Sequence, residues 1–302
     1  MRIGTAYAQQ IAIDGISERQ SRLLEVQGQM SSGRRVNLPS DDPAGAAEAE
    51  RLRSREARFG AEQRAIERAK QMLGSAESAL GDATDLLQAG RESLLAAANA
   101  TSVASDRAKY AEQLRQVREQ LLSVANRGDG TGGFIFGGQG AVAAPIDSTG
   151  TVYTPPAGTQ QVGQEMVNPV SLDGRENFTA IRTATGTESI FAQLDAAIAT
   201  LSNPNATSAV STAAANTALS AVDRALDRFS YTRTTVGERL KAIDAHEEAV
   251  ATGSIDNQAR LSNLVDVDFA KAISEMTQHQ TALQAAMKSY AQISRLSLFD
   301  YI

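Results

Sequence analysis

Asp41 and Asp42 stand side by side near the start of the chain, in "SSGRRVNLPSDDPAGAAEAE", with Arg34 and Arg35 upstream and Pro43 directly after. Adjacent carboxylates can hold a divalent cation or divide the work of a general acid and a general base. Either chemistry needs further ligands or a partner base, and the sequence offers few. Cysteine is absent, which excludes disulfides and thiolate metal sites. His246 and His279 are the whole supply of imidazole. His246 opens "HEE" in a helical repeat with no second histidine four residues on, and His279 sits between Gln278 and Gln280 without an acid/base partner. "GDGTGG", Gly128 to Gly133, matches G-x-G-x-x-G, but it follows a helical pattern rather than a strand and runs into "FIFGG" rather than a helix. The N-x-[ST] triplets at Asn99, Asn177 and Asn205 are too short to weigh. No catalytic residue, metal ligand or cofactor is assigned on these grounds.

The acidic pair has a second reading, as part of a helix joint. Gly33 follows an apolar-periodic stretch and suits a left-handed helix stop, while Pro43 suits the first turn of the next helix, where its missing N–H does no harm. Asp42 then falls at the N-cap, where a residue before proline already prefers extended angles and a carboxylate accepts from free N–H groups. Asp41 adds negative charge at the positive end of the helix dipole. A joint of Gly33, Arg34, Arg35, Asp41, Asp42 and Pro43 accounts for the cluster without a metal, and two carboxylates lacking a third ligand are the weaker reading.

The elements around this joint read as long helices. Of 302 residues, 42% are hydrophobic but only 5% aromatic, with no tryptophan and abundant alanine, a composition that suits helices packed through small side chains. The net charge of −6 is spread without a long single-sign block, so nothing asks for nucleic acid. No stretch approaches the ~20 apolar residues of a membrane span, and "MRIGTAYAQQIAIDG" lacks the apolar run of a cleaved signal. A soluble chain is expected, with any export by another route and no membrane partner.

Stepping by seven from Leu52 gives Leu52, Phe59, Ile66, Leu73, Leu80, Leu87 and Leu94, and the positions three further on from Ile66 are Ala69, Ala76, Ala83 and Gly90. This is a coiled-coil seam with one large and one small rank, on a helix expected over about 44–98. A second helix shows Tyr110, Leu114, Val117, Leu121 and Val124. A third, expected over about 207–252, carries Leu219, Val222, Leu226, Phe229, Arg233, Val236, Leu240 and Ile243, with the stem of Arg233 lying along apolar neighbours. At the chain ends Ile13, Ile16, Leu23 and Met30 match Phe269, Ile273, Met276, Leu283, Met287 and Tyr290, and glutamines at 20, 27 and 280 dilute both seams. Such helices are marginal alone and order fully among many neighbours, which signals self-association; a merely frayed pair is the other reading. Between the helices, 132–189 is rich in glycine, proline, threonine and valine, with runs "TVYT", "EMVNPVSL" and "FTAIRTA", and reads as a β-rich insert before a short helix at 189–201. The expected fold is mainly α with this small insert, an elongated rod of antiparallel helices. Its domains are 1–40 with 256–302, 41–131 with 190–255, and 132–189.

"LEVQGQMSSGRRVNLPSDDPAGAAEAERL" resembles the N-terminal signature of the bacterial flagellin superfamily, and "DVDFAKAISEMTQHQTALQAAMKSYAQISRLSLFDYI" is similar to its C-terminal end helix. "PSDDPAG", "SLFDYI", "GGFIFGGQG" and "RTTVGERL" resemble the hook-filament junction branch more than filament flagellins, which usually show "AKDDAAG" at the first site. The resemblance covers 1–140 and 187–302. It implies a non-enzymatic structural component of the extracellular bacterial flagellum, exported unfolded by the flagellar type III apparatus. The implied partners are further copies in a ring or layer, the other junction protein, flagellin, and an export chaperone engaged by the stretch from Asp268 to Tyr301. The implied terminal helices are mobile in the free monomer and pack as inner tubes on assembly. A filament-forming flagellin is the alternative.

Overall fold

The computed structural model describes residues 2–99, 103–138, 143–150, 159–161, 167–169, 172–184 and 186–299. The fold is mainly α, and the chain forms two compact units, Met1–Gly60 with Ala251–Ile302 and Ala61–Val250. Two long helices, α2 (Pro43–Ala97) and α5 (Ser208–Val265), contribute to both.

In the first unit α1 (Arg2–Ser32) packs along α6 (Phe269–Phe299). Val26 and Ala272 are buried, and Ile16, Leu23, Met30, Met276, Leu283 and Tyr290 are half-buried. Ile13, Phe269, Ile273 and Met287 remain exposed, because two helices can cover only one strip of each other. Leu52 is buried here and Phe59 half-buried, with the Arg55 guanidinium 5.6 Å over its ring.

In the second unit the ladder becomes a dry seam. Ile66, Leu73, Leu80, Leu87 and Leu94 are all buried, together with Ala69, Ala76 and Ala83. α3 (Ala104–Ala125) comes so close to α2 that a Cβ on Gly90 would lie 3.3 Å from a Val117 methyl. That approach is the reason the small rank ends in glycine. On α5 the buried large residues are Val222, Phe229, Val236 and Ile243, but the second rank falls one residue earlier than expected, at Ala218, Ala225 and Thr232. Leu226 and Leu240 are therefore half-buried flanks rather than seam members. The helix turns its small side chains inward because they allow a closer approach, and its leucines close the edges. Arg233, on the same flank, donates to Glu77 at 2.7 Å instead of only lying along apolar neighbours. α5 also runs past its expected end near Thr252 to Val265, since its buried face continues through Asn257 and no glycine or proline stops it after Gly253.

The described residues of 132–189 hold two short antiparallel strand pairs. β1 (Thr159–Gln161) pairs antiparallel with β2 (Val167–Pro169), Gln160 opposite Asn168, and β3 (Ile181–Arg182) pairs antiparallel with β4 (Thr187–Glu188), Ile181 opposite Glu188. Residues Arg175–Thr179 form one π-helical turn, and the "TVYT" run at 151–154 lies outside the described residues. The second unit spans this segment, and described residues of it supply core. Phe178 sits 5.1 Å from Phe136, 6.2 Å from Phe191 on α4 (Ile190–Ser202) and 5.2 Å from Phe229 on α5, ring centre to ring centre. All four rings are fully buried. Phe178→Ala should cost about 3–5 kcal/mol, the usual range for emptying a core aromatic site. Urea denaturation followed by circular dichroism measures it, and a loss under 1 kcal/mol would show that the cluster is not a core.

Candidate functional site

The residues singled out for chemistry meet at a joint in the first unit. α1 ends at Ser32, and Gly33 takes φ +69°, which reverses the chain without the penalty a Cβ would bring. The two linkers of the unit then pair briefly. Val267 N–H donates to Gly33 O at 3.0 Å, Arg35 N–H donates to Val265 O at 2.7 Å, and Arg34 and Asp266 form an antiparallel bridge between them. Arg35 Nη2 donates to Leu264 O at 2.7 Å, satisfying a carbonyl that the last turn of α5 leaves free, and reaches Asp42 at 3.5 Å. The Arg34 side chain is exposed.

Both carboxylates are committed to backbone donors. Asp42 Oδ1 accepts from Gly45 N–H at 2.8 Å, which makes it the N-cap of α2, and Pro43 is the first helical residue. Asp41 Oδ2 accepts from Asn37 N–H at 3.1 Å and Leu38 N–H at 2.8 Å, so it ties the crossover turn just ahead of the helix. Among the described residues no group of three His, Cys, Asp or Glu side chains is placed to hold a metal ion. "GDGTGG" is a tight turn closed by Asp129, whose Oδ1 accepts from Thr131 and Gly133 N–H groups. Asn177 is buried and accepts from the Thr232 hydroxyl at 2.7 Å, so it is closed to glycosylation in the folded chain.

Two features of the unit escaped the sequence reading. Asp268 Oδ1 accepts from Lys271 N–H at 3.1 Å at the start of α6, a cap that "DVDF" signals by an aspartate ahead of a periodic run. The second is a polar lock. Counting by sevens along α5 from Val222 reaches Phe229, Val236, Ile243, Val250 and then Asn257, a buried amide in an apolar rank. Asn257 Nδ2 donates to Leu52 O and to Glu56, each at 2.9 Å, and Glu56 also accepts from Ser254 at 2.6 Å and Gln258 at 2.8 Å. A buried asparagine in a helical seam specifies register at some cost in stability. These hydrogen bonds, that of Ser254 foremost, hold the Glu56 carboxyl below its ordinary value of 4.5.

The comparisons agree with this helical layout. The chain matches the bacterial flagellin N-terminal helical region over residues 3–141 and the bacterial flagellin C-terminal helical region over residues 219–302. It is 31% identical to the flagellar hook-associated protein 3 of Salmonella typhimurium, over 99% of either chain. The chain belongs to the flagellar hook-associated protein 3 family. It is also 25% identical to the flagellin of Bacillus subtilis, over 98% of this chain and 97% of that one, as expected of a family within the flagellin superfamily. A solved flagellar hook-associated protein of Vibrio parahaemolyticus shares the fold with a TM-score of 0.67, at 21% identity over 75% of this chain and all of that one. Hook-associated protein 3 homology thus covers the joint and both terminal helices.

Two outcomes test the joint and the lock. Asp42→Ala should lower stability by about 0.5–2 kcal/mol and speed amide exchange at Gly45, read by urea denaturation and hydrogen exchange; unchanged exchange there would show that the cap is idle. Glu56 has a folded pKa below the unfolded one, so its contribution is present above the ordinary carboxyl range and is lost as pH falls through the lowered value. Glu56→Gln should therefore show a shallower loss of stability than wild type between about pH 5 and pH 3, and parallel curves would remove Glu56 from the acid response.

Proposed function

We propose that this protein is a structural component of the bacterial flagellum that joins hook to filament, and that it acts through its terminal helices. The carrying observation is the end-to-end match to flagellar hook-associated protein 3 from Salmonella typhimurium, at higher identity than to the Bacillus subtilis flagellin. The first unit supports the mode of action. Tyr7, Ile11, Ile13 and Leu24 on α1 and Phe269, Ile273 and Met287 on α6 are exposed large apolar side chains, more than a free helical hairpin needs on its surface. Further copies in a ring or layer, the other junction protein and flagellin are the partners this surface suits. Export through the flagellar type III apparatus, with a chaperone on the stretch from Asp268 to Tyr301, completes the reading; the last residues of that stretch lie outside the described ones. No enzymatic step is assigned, because the carboxylates of the joint are occupied as backbone acceptors.

In a strain lacking this chain, electron microscopy should show hooks without filaments, with flagellin lost to the medium. A plasmid copy should restore filaments, whereas a copy carrying Ile13→Asp and Ile273→Asp should leave the cell without being retained on hooks. Filaments of normal length and number in the deleted strain would sink the junction reading. Long filaments grown by the purified chain on preformed seeds would favour a flagellin instead.

A further inference from the structure

One surface of the second unit is explained neither by its seam nor by its core. The π-helical turn and β3 lie against α5, and an open groove of about 580 Å³ runs along them, with a neighbouring one of about 320 Å³ that shares Glu176, Arg182 and Arg228. Arg182, Arg228 and Arg239 line the larger groove together with Tyr231, Glu176 and Asp173, so three guanidinium groups face two carboxylates, and Asp173 accepts from Arg175 N–H. Arg228 pairs with Glu176 and lies 5.4 Å over the ring of Tyr231, which is 65% exposed, yet its Nε is buried without a hydrogen-bond partner. Arg182 and Arg239 form no ion pair among the described residues. The arginines that bridge α2 and α5 differ: Arg91 meets Asp223 and Arg233 meets Glu77, each at 2.7 Å. The groove is therefore a place where two guanidinium groups without an ion pair, an aromatic face and an unmet donor converge, with a net excess of one positive charge in the lining.

The complementary surface is on α2. Asp85, Gln88, Ala89 and Glu92 are exposed and follow the i, i+3, i+4, i+7 rhythm of one helix face. Neither carboxylate has a partner among the described residues. Asp85 and Glu92 stand about 10 Å apart along the helix, and Arg228 and Arg239 span about 16 Å of α5, so both carboxylates fit within the length of one groove. Copies of a chain with net charge −6 repel on average, and a contact that sets an acidic face against a basic one offsets that repulsion locally.

We propose that the groove along α5 is an intersubunit dock, in which Arg182, Arg228 and Arg239 of one copy receive Asp85 and Glu92 of the next. The two patches differ, so the contact is heterologous: each copy both gives and receives, and repetition builds a ring or helical layer rather than a closed dimer. The proposal rests on the self-association in the function proposed above and names the surface that carries it.

The absence of cysteine makes the test clean. In flagella isolated from cells carrying full-length Glu92→Cys with Arg239→Cys, mild oxidation should give a ladder of covalent multimers beyond the dimer, while neither single variant does. The charge-reversed pair Arg182→Glu with Arg239→Glu should lower the number of filaments per cell about tenfold, and adding Asp85→Arg with Glu92→Arg should restore it. A dimer without higher multimers overturns the heterologous contact. No cross-link in normally assembled flagella, or a reversal without effect, overturns the dock and leaves the junction reading standing. A defect that the second reversal does not rescue, with no cross-link, assigns the groove to a different flagellar protein and likewise overturns the proposal. Absence of even the wild-type chain from isolated flagella would instead overturn the junction reading itself.

Discussion

Everything in the second unit depends on helices approaching to the distance that alanine and glycine permit. Ile66, Leu73, Leu80, Leu87 and Leu94 form the large rank of α2, with Ala69, Ala76, Ala83 and Gly90 as the small one. α5 answers with Val222, Phe229, Val236 and Ile243 beside Ala218 and Ala225. Each large side chain taken out of water contributes about 1.5–3 kcal/mol, but only while its neighbours leave no gap. A methyl added to the small rank at Gly90 would press on Val117, and a methyl removed from the large rank would leave a hole. The seam is thus constrained from both directions. The aromatic cluster around Phe178 closes it on the side of Phe136 and the π-helical turn.

The same sevenfold count continues into the first unit but changes character. After Val250 the next seam position is Asn257, and its amide, with Glu56, Ser254 and Gln258, replaces apolar packing by a set of directed bonds. Three main-chain and side-chain bonds between the linkers, from Arg35 and Val267, do the same at the joint. Directed bonds fix geometry well and contribute little net stability, because water offers the same partners in the unfolded chain. Beside the buried Val26, Leu52 and Ala272, this unit also exposes Ile11, Ile13, Phe269 and Ile273 along α1 and α6.

How much of this was legible follows from which physics leaves a local trace. The ladder from Leu52 to Leu94 is a periodicity, and Gly33, Asp42 and Pro43 are a stop, a cap and a first turn, each of which acts within a few residues. The mainly α fold and the flagellin resemblance were open to reading for that reason. The exact face of α5 was not, since Leu226 and Ala225 are neighbours and only the distance to α2 decides which one turns inward. The pairing of the short strands in 132–189 was not legible, because glycine, threonine and valine mark where sheet can form without fixing which runs pair. The bonds of Asp41 were not legible either: which N–H groups its carboxylate meets depends on backbone direction over Asn37–Asp41, which residue types alone do not specify. Asn257 carried a signal in its sevenfold spacing from Val250, but its meaning required knowing that Glu56 stands opposite.

Charge completes the division of labour. In the second unit Lys70 meets Glu247, Arg91 meets Asp223 and Arg233 meets Glu77, all between α2 and α5 and partly open to solvent. Pairs so exposed are worth about 0–1 kcal/mol, so their role is to penalise a slipped register more than to add stability. A slip of one heptad would keep the apolar ranks aligned and would be nearly silent to packing, yet it would set these charges against wrong partners. The two units therefore solve one problem in two ways. Rim charges choose the register where the core is rich, and a buried amide chooses it where the core is poor. Only the second solution goes with exposed apolar side chains along two helices, as at Ile11, Ile13, Phe269 and Ile273.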